Sequence, residues 1–138
     1  MRLATSPGRM ELHALADAVR NNDASAIDEA VGFVVAETRG VGHGRARARL
    51  ARRLKHVALT STQRRMLVDA VVRRLRTGTF SEQFDDQWRL ALLLDAPTMI
   101  AAATVALDDD RAFIQRAARR VLTSAAGRLS VCVEESLQ

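Results

Sequence analysis

Residues 60–78 read TSTQRRMLVDAVVRRLRTG, and the reading of this stretch decides the fold. Thr60 followed by Gln63 is a capping box, in which each side chain satisfies a backbone N–H that a helix start leaves open. Leu67, Val68, Val71 and Leu75 then recur at the spacing of one helix face. Arg65, Asp69, Arg73 and Arg76 take the opposite face, where Asp69 is placed to pair with Arg65 and Arg73 one turn away. Gly78 stands where a left-handed residue ends a helix. Start, buried face and stop are all legible, so this is a helix.

The same grammar extends outward. Thr79 and Glu82 form a second capping box, predicting a fifth helix to about Leu94 with Phe84, Trp88, Ala91 and Leu92 inward. Asp95 caps a sixth, Ala96 to Leu107, with Pro97 tolerated in its first turn. That helix is apolar nearly all round, which predicts a central position. Asp108-Asp109-Asp110 opens a seventh, Arg111 to about Thr123, burying Phe113, Ile114, Ala117, Val121 and Leu122 and showing Arg116, Arg119 and Arg120. Gly127 marks the end of an extension. Toward the N-terminus, the glycine-rich break Gly40 to Gly44 precedes a third helix, Arg45 to Val57, with Ala46, Leu50, Leu54 and Val57 inward. Ser25 is the expected cap of a second helix, which buries Ile27, Val31, Val34 and Val35. The first runs from Met10 to about Asn21 on Leu12, Leu15, Ala16 and Val19.

No segment alternates at period two, so the chain reads as all-α, with six or seven short antiparallel helices. Its 138 residues suit one domain, placed at 10–128, with a lead at 1–9 and a tail at 129–138. Whether the helices wind into an α-α superhelix or close into a compact bundle stays open at this level. A single cysteine, Cys132, excludes an internal disulfide framework. No run approaches the roughly 20 apolar residues of a membrane span, and Met1 to Gly8 lacks the apolar core of a signal peptide. The expectation is a cytoplasmic protein without membrane partners.

Charge is distributed unevenly. Between Glu37 and Glu82 lie twelve cations and one anion, Asp69, a local +11; the rest carries nine cations and fifteen anions, −6, for a net +5. Such asymmetry speaks of partners rather than of fold. Arg45, Arg49, Arg52 and His56 share the outer side of the third helix, flanked by Arg47, Arg53 and Lys55. Arg65, Arg73 and Arg76 would add to it from the fourth. The expected working surface is therefore Arg45, Arg49, Arg52, Arg53, Lys55, Arg65, Arg73 and Arg76, offered to an acidic protein or to duplex DNA or structured RNA. Glu82, Asp85, Asp86 and Asp95 follow directly and could neutralise it. Self-association is a further reading.

Residues 109–122, DDRAFIQRAARRVL, resemble the second helix of a HEAT-like repeat: an acidic turn at Asp109, then Ile114, Ala118 and Leu122 at steps of four. The family usually has Arg after the apolar residue; here Gln115 stands there and the arginine is displaced to Arg116. Arg45 to Leu54 fits more loosely through Ala46, Arg47, Leu50 and Leu54. The resemblance to HEAT and armadillo proteins implies an α-helical superhelix that binds through a concave surface, which some members use on duplex DNA. No clean period of 35 to 45 residues runs through the chain.

Other constellations carry less. Leu50 to Val72 could hold a helix-turn-helix, although Lys55 stands where Gly is usual. Gly40 to Gly44 matches no phosphate-loop pattern and reads as a linker. Three consecutive aspartates cannot all converge on one ion, so Asp108 to Asp110 read as a helix start. His13, His43 and His56 show no metal-ligand spacing. No nucleophile elbow occurs, and a catalytic site assembled from distant residues is the one enzymatic option left. The expected function is a small helical binding or adaptor module with no cofactor and no metal.

Overall fold

A computed structural model describes residues 9–37, 42–81 and 83–137, with side chains from 11 to 128 within that range. Seven helices form and no strand among the described residues: α1 (Arg9–Arg20), α2 (Ala24–Val35), α3 (His43–Leu54), α4 (Ser61–Thr77), α5 (Phe84–Leu94), α6 (Ala96–Ala106) and α7 (Ala112–Leu137).

The caps explain most boundaries. Thr60 Oγ1 accepts from the Gln63 N–H at 3.1 Å, and Gln63 Oε1 accepts from the Thr60 N–H at 2.9 Å, completing the box that starts α4. Gly78 ends it at φ 75°. A Cβ on Gly78 would stand 2.8 Å from Phe113 Cζ and 3.1 Å from Ile114 Cδ1, so α7 packs on this turn because no side chain is there. Asp95 caps α6 by accepting from the Thr98 N–H.

The boundaries of four helices differ from the sequence reading. Asp23, not Ser25, caps α2, accepting from the Ala26 N–H at 2.9 Å. α3 begins at His43, after Gly42 at φ 78°, and ends at Leu54 rather than Val57. α5 begins only at Phe84, after Gln83 at φ 57°. The Thr79 hydroxyl pairs instead with that of Thr77, while Glu82 lies outside the described residues. Gly127 does not stop α7, which continues to Leu137 through the expected tail.

The helices stack in two layers. α1 packs on α3, α3 on α5 and α5 on α7; in the other layer α2 packs on α4 and α4 on α6. Every contact is between helices at most three apart in the chain, and α1 reaches none beyond α3. This arrangement of seven helices is compatible with a compact helical bundle or with a superhelix. The core accordingly falls into two parts. One lies among α1, α2 and α3, with Leu67 of α4 and Leu90 of α5 joining it. The other lies among α4, α5, α6 and α7 around Trp88, Leu75, Met99 and Ile114.

α6 is not central. It buries only Met99, Ala103 and Ala106, and Val105 is 71% exposed. Phe113, expected inside, is also exposed, resting edge-on against Phe80.

Candidate partner-binding surface

The sequence placed one basic surface on α3 and α4. These helices are not packed against each other along their length: α2 and α5 each pack on both, and the two belong to different layers. The same separation removes the helix-turn-helix, which needs the two helices packed together. Arg45, Arg49, Arg52, Arg53 and Lys55 thus sit apart from Arg65, Arg73 and Arg76.

Much of the positive charge is built into the fold. The last carbonyls of a helix lack intrahelical donors and carry the negative end of its dipole. Arg74, 3% exposed, donates from Nη2 to Val35 O at 2.9 Å and Ala36 O at 3.2 Å at the end of α2, and from Nη1 to the buried Gln87 Oε1 at 2.9 Å. Arg47, expected on the solvated stripe, is buried as well. Its Nε donates to Ala36 O, and its guanidinium lies 5.6 Å from the Phe33 ring centre. Arg64 donates to Leu94 O at the end of α5, and Arg111 to Arg76 O and Thr77 O at the end of α4. Arg73 turns from Asp69 to Glu37, at 3.3 Å, a carboxylate that also takes Arg74 Nε. Burial pushes the Glu37 carboxyl up, but the charge of Arg74 and hydrogen bonds from Arg73 and Arg74 outweigh it and hold it below the ordinary range.

What remains outward on α3 continues onto α5 and α7. Arg49 meets His13 of α1. Arg52 Nη1 donates to Asp86 Oδ2 at 2.6 Å and to Gln83 Oε1 at 3.3 Å, tying α3 to α5. Lys55 lies within electrostatic reach of Asp86, Arg89, Arg128 and Arg52; burial lowers its ammonium below the usual lysine value, against the pull of Asp86 and with the push of the three arginines. Arg120 of α7 donates to Asp85 Oδ1 at 2.9 Å, and Asp85 also accepts from the Trp88 indole at 2.8 Å. Arg49, Arg52, Lys55, Arg89, Arg120 and Arg128 therefore form a cationic surface over α3, α5 and α7, interrupted by Asp85 and Asp86 alone among the described side chains of those helices. Arg45 is exposed in the first turn of α3. Arg53 is half-buried, its Nε enclosed without a hydrogen-bond partner. A shallow hollow of about 440 Å³ opens beside Arg89 and Arg120, with Phe80 and Phe84 stacked 4.5 Å apart in its wall and Asp85 and Asp86 on its rim.

Sequence reasoning missed Arg89, Arg120 and Arg128 because they lie outside the basic segment. The signal that could have found them is the i, i+2 neighbourhood of a two-layered stack, which brings α3, α5 and α7 together. It missed Arg74 because a buried arginine serving another helix's carbonyls has no local pattern. Among the described residues no group of three or more His, Cys, Asp or Glu is placed to hold a metal ion, and no helix is long and apolar enough to cross a membrane. Asp109 accepts from the Arg111 N–H and guanidinium.

No family model, curated protein or solved structure matches this chain.

Proposed function

We propose that the chain is a helical binding module that engages an acidic protein partner through the outer face of α3, α5 and α7. One observation carries this reading: among the described side chains, six cations from three successive helices of one layer share a surface with two carboxylates. Arg120 and Arg52 side chains are about half exposed even while paired, so their remaining N–H donors stay open to a partner. Asp85 and Asp86 at the middle of the set favour a partner with discrete carboxylates over a uniform phosphate rail, since like charge set opposite them repels. The hollow walled by Phe80 and Phe84 can take one apolar side chain, the kind of central anchor that dominates protein interfaces. The HEAT-like reading of residues 109–122 supports a binding scaffold and names no partner.

The test is fluorescence anisotropy with a labelled glutamate-rich peptide containing one tryptophan, a duplex DNA and a structured RNA, at low and high salt. The peptide should bind and weaken with salt. Lys55→Glu with Arg128→Glu should weaken it at least about tenfold, whereas Arg65→Glu with Arg76→Glu, on the other layer, should not. Preference for the nucleic acids with a steep salt slope would transfer the surface to phosphate. Binding of none of the three, or loss only in the α4 pair, would overturn the assignment.

A further inference from the structure

The outward face of α6 presents no charge and no free polar group. Pro97, Ala101 and Val105 lie along it at steps of four, flanked by Thr98 and Thr104, and all five are exposed. Both threonine hydroxyls turn back onto the helix: Thr98 Oγ1 donates to Asp95 Oδ2 at 2.7 Å and Thr104 Oγ1 to Ile100 O at 2.8 Å. Neither hydroxyl is left without a partner. From Ala96 to Leu107 the sequence has no ionisable residue. Leu93, at the end of α5 just before α6, is 47% exposed. A helix apolar on every side ordinarily lies inside a structure, and a contiguous apolar face of this kind marks an association site. α6 is also the last helix of its layer, with nothing stacked on it beyond α4, α5 and α7.

Charged side chains flank α6, with Arg64 and Asp95 at its start and Asp108, Asp109, Asp110 and Arg111 at its finish. At its start, the Arg64 guanidinium donates to Leu94 O and acts on Asp95. At its finish stand Asp108 and Asp110, both exposed, with Arg111 paired to Asp109 and within electrostatic reach of Asp110. A two-fold axis near Ala101 that sets α6 antiparallel against its own copy brings Arg64 of each chain to Asp108 and Asp110 of the other. The complement is met twice, and the helix dipoles oppose favourably. Ala101, the smallest side chain of the row, lies where the two helices would cross, so the backbones can approach closely. We propose that α6 is a two-fold interface between copies of this chain.

Sedimentation velocity of the full chain, from about 1 to about 200 μM, tests this. The expected result is a concentration-dependent dimer. Ala101→Arg should raise its dissociation constant at least about tenfold with an unchanged circular dichroism spectrum, because the site is exposed. Arg64→Glu should weaken the dimer, and adding Asp108→Arg and Asp110→Arg to the same chain should restore it. A monomer throughout would leave the face to a helix of another protein and overturn the proposal. So would a dimer indifferent to Ala101→Arg. A dimer sensitive to Ala101→Arg but indifferent to Arg64→Glu, with no rescue, would refute the antiparallel pairing.

Discussion

Replacing Arg74 by Met is the sharpest perturbation of this fold. The side chain keeps its length and apolar stem, so the change removes the guanidinium and little packing. Gln87, fully buried, then loses the donor to its Oε1. An orphaned buried acceptor costs about 1–3 kcal/mol. Val35 O, in a half-buried residue, loses its charged donor, which adds about 1 kcal/mol. Ala36 O keeps Arg47 Nε at 3.3 Å and so loses less. Removing the cation from the end of α2 adds about 0.5 kcal/mol. Glu37, half exposed and still beside Arg73, contributes little. The expected loss is about 3 kcal/mol, roughly a 10 °C fall in Tm for a chain of this size. Urea unfolding followed by Trp88 fluorescence and by circular dichroism would measure it, with Arg76→Met as the exposed control, expected within about 0.5 kcal/mol of wild type. A loss under about 1 kcal/mol would refute the view that this arginine bonds the end of α2 and the first turn of α5 to α4. Arg74→Lys should recover less than half, since one ammonium cannot face Gln87 and the α2 carbonyls with the guanidinium fork.

Two glycines should respond with opposite signs. Gly78→Ala puts a Cβ against Phe113 and Ile114 at a positive φ and should cost about 1–2 kcal/mol from backbone strain alone; Gly32→Ala, in an open stretch of α2, should stabilise by about 0.5–1 kcal/mol, both read from thermal melts. Acid should weaken the fold through Asp85 and Glu37. Burial pushes the Asp85 carboxyl up, but hydrogen bonds from Arg120 and Trp88 and the charges of Arg120 and Arg89 outweigh it, so it sits below the ordinary value, as Glu37 does. A lowered carboxylate stabilises in full above its unfolded value of about 4 and loses that contribution as the pH falls through the folded value. The urea midpoint should therefore drop as the pH falls below about 4, and Asp85→Asn with Glu37→Gln should flatten that dependence. An unchanged slope in the double variant would show that other groups carry it.

The helices were legible where the signals are local. Leu67, Val68, Val71 and Leu75 with the Thr60 box and Gly78 gave α4 to the residue, because caps and a one-sided apolar face act within a few positions. α5 was placed early because Thr79 and Glu82 have the letters of a cap, yet Phe80 stacks on Phe84 and Ser81 accepts from the Gln87 amide, which holds the segment in another path. The surface was half legible. Helical period put Arg49 and Arg52 together, but it cannot tell which helix comes to lie beside α3. Nor does period distinguish an arginine that faces water from one that finds a neighbouring helix end, and Arg47 and Arg74 do the latter. α6 failed for a related reason. Its composition asks for burial on all sides, and the helices packed on it, α4, α5 and α7, cover only some of them.

Arg49, Arg52, Lys55, Arg89, Arg120 and Arg128 belong to the layer of α1, α3, α5 and α7; the bare face of α6 belongs to the layer of α2, α4 and α6. The two surfaces are therefore separable, and each can be altered without the other. A pair of chains joined through α6 would carry one cationic face on each, with no arginine of those faces consumed by the joint. An acidic partner with two suitable stretches would then bind the second at a concentration set by the tether rather than by bulk solution, which raises avidity by about 10²–10⁴ where the geometry allows both to engage. Ala101→Arg should leave the affinity for a single short acidic peptide unchanged while lowering that for two such peptides joined by a long flexible linker. Equal loss for both ligands would mean that α6 supports the cationic face itself, and that the layers are not independent.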